Sequence, residues 1–337
     1  MWFGSSRSTG RRLLFCTVLL IAFASGGCSS TPSAPDPPPP PPPPAAPTVS
    51  CEEGVSRATI DPAGLPVSYP TPEARDGQTP VNVNCTPASG SLFPVGETTV
   101  SCTATDGLNR QATCEFRVNV TRAPQLQRVR FMAFGDSMTA GEVTFPGSTA
   151  GLTSGKQIVV PAAAYPTVLQ RLLQTRYSFQ ADTLVVSNQG LGGEKAANAR
   201  TRFFLALDAV HPDVLLLWHG HNDIPGGLDG FASTAATEVR IMAVEAARRG
   251  VRVFIATPLP GRPGGNRTIG DVFLIDYANR MRAVAAQEGA VLVDMYNLLL
   301  PDVTRYIGVD GLHPNEAGYA RIAELWFDAI RNTLEVR

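Results

Sequence analysis

The chain has 337 residues, 44% of them hydrophobic and 17% charged, with a formal net charge of −1. That length exceeds one typical domain and allows two with linkers, and the near-zero charge excludes recognition of nucleic acid or an acidic polymer through bulk electrostatics. The 29 prolines and six cysteines are unevenly spread: an unbroken run covers Pro37 to Pro44, and no cysteine follows Cys114.

In chain order, Arg7, Arg11 and Arg12 precede an apolar run from Leu13 to Phe23, then Ala24-Ser25-Gly26-Gly27 and Cys28. A basic head, a short apolar core and a small-residue exit make a secretory signal, and the run is too short to span a bilayer. The pattern resembles a bacterial lipoprotein signal, with Ser25 where a larger aliphatic residue is usual. The resemblance implies cleavage of residues 1–27, a lipid anchor on Cys28 and export to a membrane surface facing periplasm or cell exterior. Residues 28–47 then form a stalk, because a proline run adopts extended polyproline II structure and buries no core. At about 3.1 Å per residue it holds the next domain up to ~50 Å from the anchor.

From residue 48 to 122 the pattern becomes period two. Val81, Val83 and Cys85 alternate with Asn82 and Asn84; Val100, Cys102 and Ala104 with Ser101 and Thr103; Cys114, Phe116, Val118 and Val120 with Glu115, Arg117 and Asn119. Turn residues Asp106-Gly107 and Pro94-Val95-Gly96 separate them, which predicts antiparallel strands in a small sandwich. So small a domain gains from cross-links, and Cys51, Cys85, Cys102 and Cys114 supply two. Four cysteines allow three pairings. The segment Gly90–Asp106 resembles the hyalin-repeat (HYR) family of immunoglobulin-like modules. That resemblance implies a non-catalytic spacer or adhesion unit, with possible contact to glycan or cell wall, and favours Cys85 with Cys102 and Cys51 with Cys114.

Residues 127–337 alternate apolar runs with helical patterns. Strands are expected at Val129–Phe134, Thr183–Ser187, Val214–Trp218, Val251–Thr257 and Ala290–Met295. Helices follow: one carrying Val239, Met242, Ala243 and Ala246 and ending at Gly250; one capped by Asp271 and stopping at Gly289; and a last one with Pro314 in its first turn. The alternation predicts a three-layer α/β sandwich around a parallel five-stranded sheet.

Four polar stretches sit at strand ends or before a helix, where one crevice can collect them. They are Gly135-Asp136-Ser137, Asn188–Glu194, His219-Gly220-His221-Asn222-Asp223 and Asp310-Gly311-Leu312-His313. Ser137 becomes a nucleophile when a base takes its proton, and His313, with Asp310 three residues before it, is the best of the four histidines for that task. Gly193 can offer a backbone N–H and Asn222 a neutral amide to the oxyanion that forms. In this order the four stretches resemble the blocks of the SGNH, or GDSL, hydrolases. The resemblance implies a flavodoxin-like fold and a catalytic triad of Ser137, His313 and Asp310. It also implies an oxyanion hole of Ser137, Gly193 and Asn222, and no cofactor. Gly192 stands where a serine is common and Glu194 where aspartate is usual, so Gly190 and Gly192 are alternatives to Gly193.

Two other readings are weaker. His219, His221 and Asp223 have the spacing of a zinc site, but Ile224 stands where the next ligand is expected, so no metal is expected and the histidines are read as crevice-wall hydrogen bonders. Gly190-Leu191-Gly192-Gly193 lacks the spacing and lysine of a nucleotide loop. The expected activity is therefore hydrolysis of carboxylic esters. The loops Glu142–Val160 and Pro258–Gly270 carry no long apolar lid, which favours small acyl groups such as O-acetyl on carbohydrate. A lysophospholipase or lipase-like activity, acyl transfer, or an adhesion protein with an inactive α/β domain are the alternatives.

Overall fold

The computed structural model describes residues 38–144, 157–224 and 229–336, the side chains of residues 229–231 excepted. The signal segment, Cys28, the start of the stalk and most of the loop Glu142–Val160 lie outside the described residues. Residues 38–46 are exposed and carry neither helix nor strand. No helix among the described residues is long and apolar enough to cross a membrane.

The N-terminal region is built of β-strands. Its main sheet orders Val55–Thr59, Gln111–Arg122, Gly96–Thr105 and Asn82–Thr86, and two short strand pairs, Thr48–Ser50 with Glu73–Arg75 and Leu65–Pro66 with Leu92–Phe93, complete it. The alternation read from the sequence has the expected effect: Val100, Cys102, Ala104, Val118 and Val120 are buried, while their neighbours face outward. One pairing departs from the antiparallel expectation, since Val55–Thr59 runs parallel to Val118–Arg122. A parallel pair needs a long crossover, and the chain between Thr59 and Gln111 supplies it. Cys85 and Cys102 face each other across neighbouring strands and form one disulfide. Cys51 and Cys114 form the other.

The second bridge closes a loop between residues 63 positions apart, so replacing Cys51 and Cys114 together with alanine is expected to lower the stability of this region by about 2–5 kcal/mol. The core of the α/β region contains none of these residues. Calorimetry should therefore show an early-melting transition in the variant while ester turnover at 25 °C is retained. A single unshifted melt would refute the assignment of stability to this bridge.

Beyond Arg122 the chain enters the α/β region. Its strands are β1 (Arg130–Gly135), β2 (Val185–Gly190), β3 (Val214–Trp218), β4 (Arg252–Ala256) and β5 (Val291–Val293), all parallel in the order β2-β1-β3-β4-β5. The helices are α1 (Ser137–Ala140), α2 (Tyr165–Arg176), α3 (Ala196–Val210), α4 (Asp229–Arg248), α5 (Asp271–Gln287), α6 (Met295–Leu299), α7 (Val303–Tyr306) and α8 (Glu316–Leu334). Helix α2 packs on α8, and α3, α4 and α5 pack side by side, so the sheet is covered on both faces. Burial on both sides is why β1 and β3 read as continuous apolar runs.

Four local expectations need correction. β5 stops at Val293 rather than Met295, because Asp294 caps α6 and Met295 opens that helix. β2 starts at Val185 rather than Thr183, because Ser178–Thr183 winds into a 3₁₀ turn, and it continues through the polar Asn188 and Gln189. It is an edge strand, paired on one side only, so polar side chains are tolerated there. Pro314 does not lie inside the last helix: Asn315 caps it, its side chain accepting from the Gly318 N–H, and Pro314 bridges to Ile307 instead. Asp271 is the first residue of α5, with Gly270 in the cap position.

The order in which the chain adds strands reverses between β1 and β3, and the crevice at the carboxyl ends of those strands is where an open α/β sheet holds a ligand. Ser137 follows β1 directly, and His219–Asp223 follows β3.

Candidate active site

The run Phe131–Phe134 is fully buried and ends at Gly135, which pairs with Gly190 on one side and Trp218 on the other. A Cβ at Gly135 would lie 2.0 Å from the Trp218 carbonyl oxygen and 2.3 Å from Thr139 Oγ1, so the close approach of these strand ends requires glycine. Asp136 then caps α1, its Oδ1 accepting from the Met138 N–H at 3.1 Å. The amides of Thr139 and Ala140 also turn back to the Asp136 carbonyl, which leaves the Ser137 N–H outside the bonds of its own turn among the described residues. Asp136 Oδ2 accepts from the His221 backbone N–H and faces His221 Nδ1, each at 3.2 Å, so the loop after β1 is tied to the loop after β3. Burial pushes the Asp136 carboxyl up, but His221, His219 and the Met138 amide outweigh it and hold it at about 2.

Ser137 and His313 come from positions 176 residues apart, and Ser137 Oγ lies 2.9 Å from His313 Nε2. His313 Nδ1 is 2.6 Å from Asp310 Oδ2. The other carboxylate oxygen, Asp310 Oδ1, accepts from the backbone N–H groups of Leu312 and His313 at 3.1 and 3.0 Å. Burial raises the Asp310 carboxyl, yet the hydrogen bonds and charge of His313 and the two amides hold it at about 2, so it stays ionised at neutral pH. An ionised Asp310 accepts a hydrogen bond from Nδ1–H, which keeps the proton on Nδ1 and leaves Nε2 free to accept from Ser137. The Gln157 amide nitrogen lies beside the same pair, 3.4 Å from Asp310 Oδ2 and 3.3 Å from His313 Nδ1. Ser137, Asp310 and His313 are each nearly inaccessible.

The loop after β2 reaches the same place. Leu191 N–H donates to the Gly135 carbonyl, and Gly193 takes a left-handed backbone with φ of 74°. Asn222 donates its side-chain amide to the Glu194 carbonyl at 3.0 Å, which joins the third polar stretch to the second. Glu194 is itself clamped: Arg202 Nε donates to it at 2.9 Å, and His219 Nε2 lies 3.0 Å away. Burial raises the Glu194 carboxyl, and His219 and Arg202 bring it below its usual range. Arg202 also donates to the carbonyls of Gln189 and Gly135 and stacks 4.1 Å above the Phe134 ring. One guanidinium thus holds the ends of β1 and β2 and the loop of Gly193. Nothing local in the sequence marks Arg202, which is legible only once α3 is laid beside the strand ends.

The histidines after β3 have defined structural partners. His219 Nδ1 accepts from the Gly220 N–H, which leaves Nε2 to donate to Glu194. His221 Nε2 accepts from the Leu259 N–H at 3.3 Å, which leaves Nδ1 to donate to Asp136. Asp223 accepts from the amides of Ala196 and Ala197 at the start of α3. These are wall-building bonds rather than the open lone pairs of a metal site, and the described residues contain no group of three or more candidate ligands.

The family model described as "GDSL-like Lipase/Acylhydrolase family" matches residues 133–321, more than half the chain, and the HYR domain model matches residues 44–120. The chain belongs to the GDSL-like lipase/acylhydrolase family. It is accordingly a carboxylic ester hydrolase carrying an N-terminal HYR domain. Among solved structures, this hydrolase is similar to a lipase/acylhydrolase from Enterococcus faecalis, with a TM-score of 0.51 at 20% identity over 61% of this chain and 97% of the other. It is also similar to an acetyl xylan esterase, with a TM-score of 0.46 at 21% identity over 60% and 99% of the two chains. A third similar structure is an acetylxylan esterase from Geobacillus stearothermophilus, with a TM-score of 0.47 at 18% identity over 61% and 94%. No curated relative matches the chain. At 20% identity, the similarity to the Enterococcus faecalis structure concerns the fold alone.

Proposed function

We propose that this GDSL-like hydrolase is an extracytoplasmic serine esterase that removes small acyl groups, O-acetyl on carbohydrate foremost, through an acyl-enzyme on Ser137. The observation that carries the reading is the buried chain Ser137 Oγ–His313 Nε2–Asp310, with contacts of 2.9 and 2.6 Å. His313 takes the serine proton as Oγ bonds to the ester carbonyl carbon. The N–H groups of Ser137 and Gly193 and the Asn222 amide receive the oxyanion. Its collapse expels the alcohol, to which His313 returns the proton, and water then repeats the sequence to release the acid and free Ser137.

The preference for a polar alcohol rests on the rim. The described loop Gly261–Gly270 presents Asn266, Arg267 and Thr268 outward, half-buries Arg262 against the Ile307 carbonyl and buries its one large apolar residue, Ile269. Two disulfides and the basic-apolar-cysteine leader support export with a lipid anchor at Cys28, and the HYR domain is then a spacer that can touch glycan or cell wall.

The test compares acetate release from acetylated polysaccharide with fatty-acid release from lysophospholipid by the full chain. A kcat/KM at least about tenfold higher on the acetylated polymer is expected. The reverse order would make the protein a lysophospholipase. Transfer to an added sugar acceptor outrunning hydrolysis would make it an acyltransferase.

A further inference from the structure

Glu142 places a second carboxylate beside the serine–histidine pair. Gly141, with φ of 90°, ends α1 and turns the chain back, so Glu142 pairs with Val159 in the short hairpin of Glu142–Thr144 with Gln157–Val159. Its carbonyl accepts from the Tyr319 hydroxyl at 2.8 Å, which anchors the backbone to α8. The side chain, 18% exposed, points inward, with Oε2 3.9 Å from His313 Nε2. That nitrogen takes the Ser137 proton, and the departing alcohol must come to it.

The neighbouring loop is shaped around this carboxylate. A Cβ at Gly192 would lie 1.9 Å from Glu142 Oε1. A side chain at this position, such as the serine common in GDSL-like hydrolases, would displace the Glu142 carboxylate from where it stands. The departure at Gly192, unexplained by the sequence, is the complement of Glu142. The hairpin backbone thus places a half-buried acceptor 3.9 Å from the nitrogen that the departing alcohol approaches. A carboxylate is acceptor-only, repels anionic alcohols and gains nothing from an alkyl or aryl one.

We infer that Glu142 is a specificity-determining residue that accepts a hydrogen bond from a donor on the alcohol portion of the substrate, such as a hydroxyl next to the ester. This selects neutral polyol or sugar esters. The inference rests on the proposed serine esterase reading and deepens it.

The experiment measures kcat/KM of the full chain on glycerol monoacetate, whose alcohol carries free hydroxyls, and on 4-nitrophenyl acetate, whose leaving group carries none. In Glu142→Ala the ratio of the first to the second is expected to fall about tenfold to a hundredfold, the value of a hydrogen bond to a charged group. Glu142→Gln, which keeps an acceptor oxygen, should restore part of it, mostly in KM. Gly192→Ser keeps the carboxylate but takes its place, so the ratio should fall in the same direction. A ratio unchanged within about threefold in Glu142→Ala and Gly192→Ser overturns the inference, including the case where both substrates slow equally through damage to the Ser137–His313 pair. Wild type inactive on both esters would instead overturn the esterase reading, and this inference with it.

Discussion

Ser137→Ala is expected to lower kcat on 4-nitrophenyl acetate by about ten-thousand-fold or more, because members of a nucleophile–base unit fail together rather than additively. The variant removes one buried oxygen, 2.9 Å from His313 Nε2, and leaves the rest of the crevice standing. Asp136 still caps α1 through the Met138 amide, and the backbone N–H of position 137 remains. The residual rate then comes from oxyanion donors and substrate positioning alone. Burst kinetics on the wild type, and their loss in the variant with circular dichroism unchanged, is the measurement. Equal turnover by both proteins would remove Ser137 as nucleophile, and turnover abolished by a chelator would point to a metal route instead.

Asp310→Asn is expected to cost about a thousandfold to ten-thousandfold in kcat with little loss of fold. The direction follows from the hydrogen bonds already made. Asp310 Oδ1 accepts from two backbone N–H groups, so an asparagine must turn its carbonyl oxygen toward them. Its NH₂ group then faces His313 Nδ1, where the carboxylate oxygen stood at 2.6 Å. A donor there makes Nδ1 the acceptor and moves the ring proton to Nε2, the tautomer that cannot take a proton from Ser137. KM should change far less than kcat, since the substrate side of the ring is untouched. An Asp310→Asn variant with kcat within about tenfold of wild type would show that Asp310 does not set the tautomer. Holding Asp310 at about 2 also keeps this group from titrating near neutral pH, so it contributes no limb to an activity profile there.

Much of this was open to reading in one dimension because the relevant physics is local. Apolar runs such as Phe131–Phe134 and Leu215–Trp218 mark strands buried on both faces whatever their neighbours are. Alternation around Cys102 and Val118 marks half-buried strands in the same way. The proposed nucleophile sits just after a strand and the proposed base and orienter just before a helix, elements that carry their own signals. The Asp310–His313 spacing lets one tight turn join the latter two. The parallel pairing of Val55–Thr59 and the longer β2 escaped because pairing partners and edge position belong to the sheet, not to the segment.

What the sequence by itself determined is the order of elements, the α/β class of the second region and the residue types that one crevice collects. Only the tertiary structure decided which groups hold that crevice together. Arg202 reaches back from α3 to the ends of β1 and β2 and to Glu194 in the loop after β2, Asp136 ties β1 to the His221 loop, and Asp223 caps a helix that starts before it in the chain. It also decided that Gly192 and Glu142 share one space. Those relations join residues tens of positions apart whose spacing carries no period. A hydrogen bond or a steric fit of that kind exists only after the sheet has set the distances.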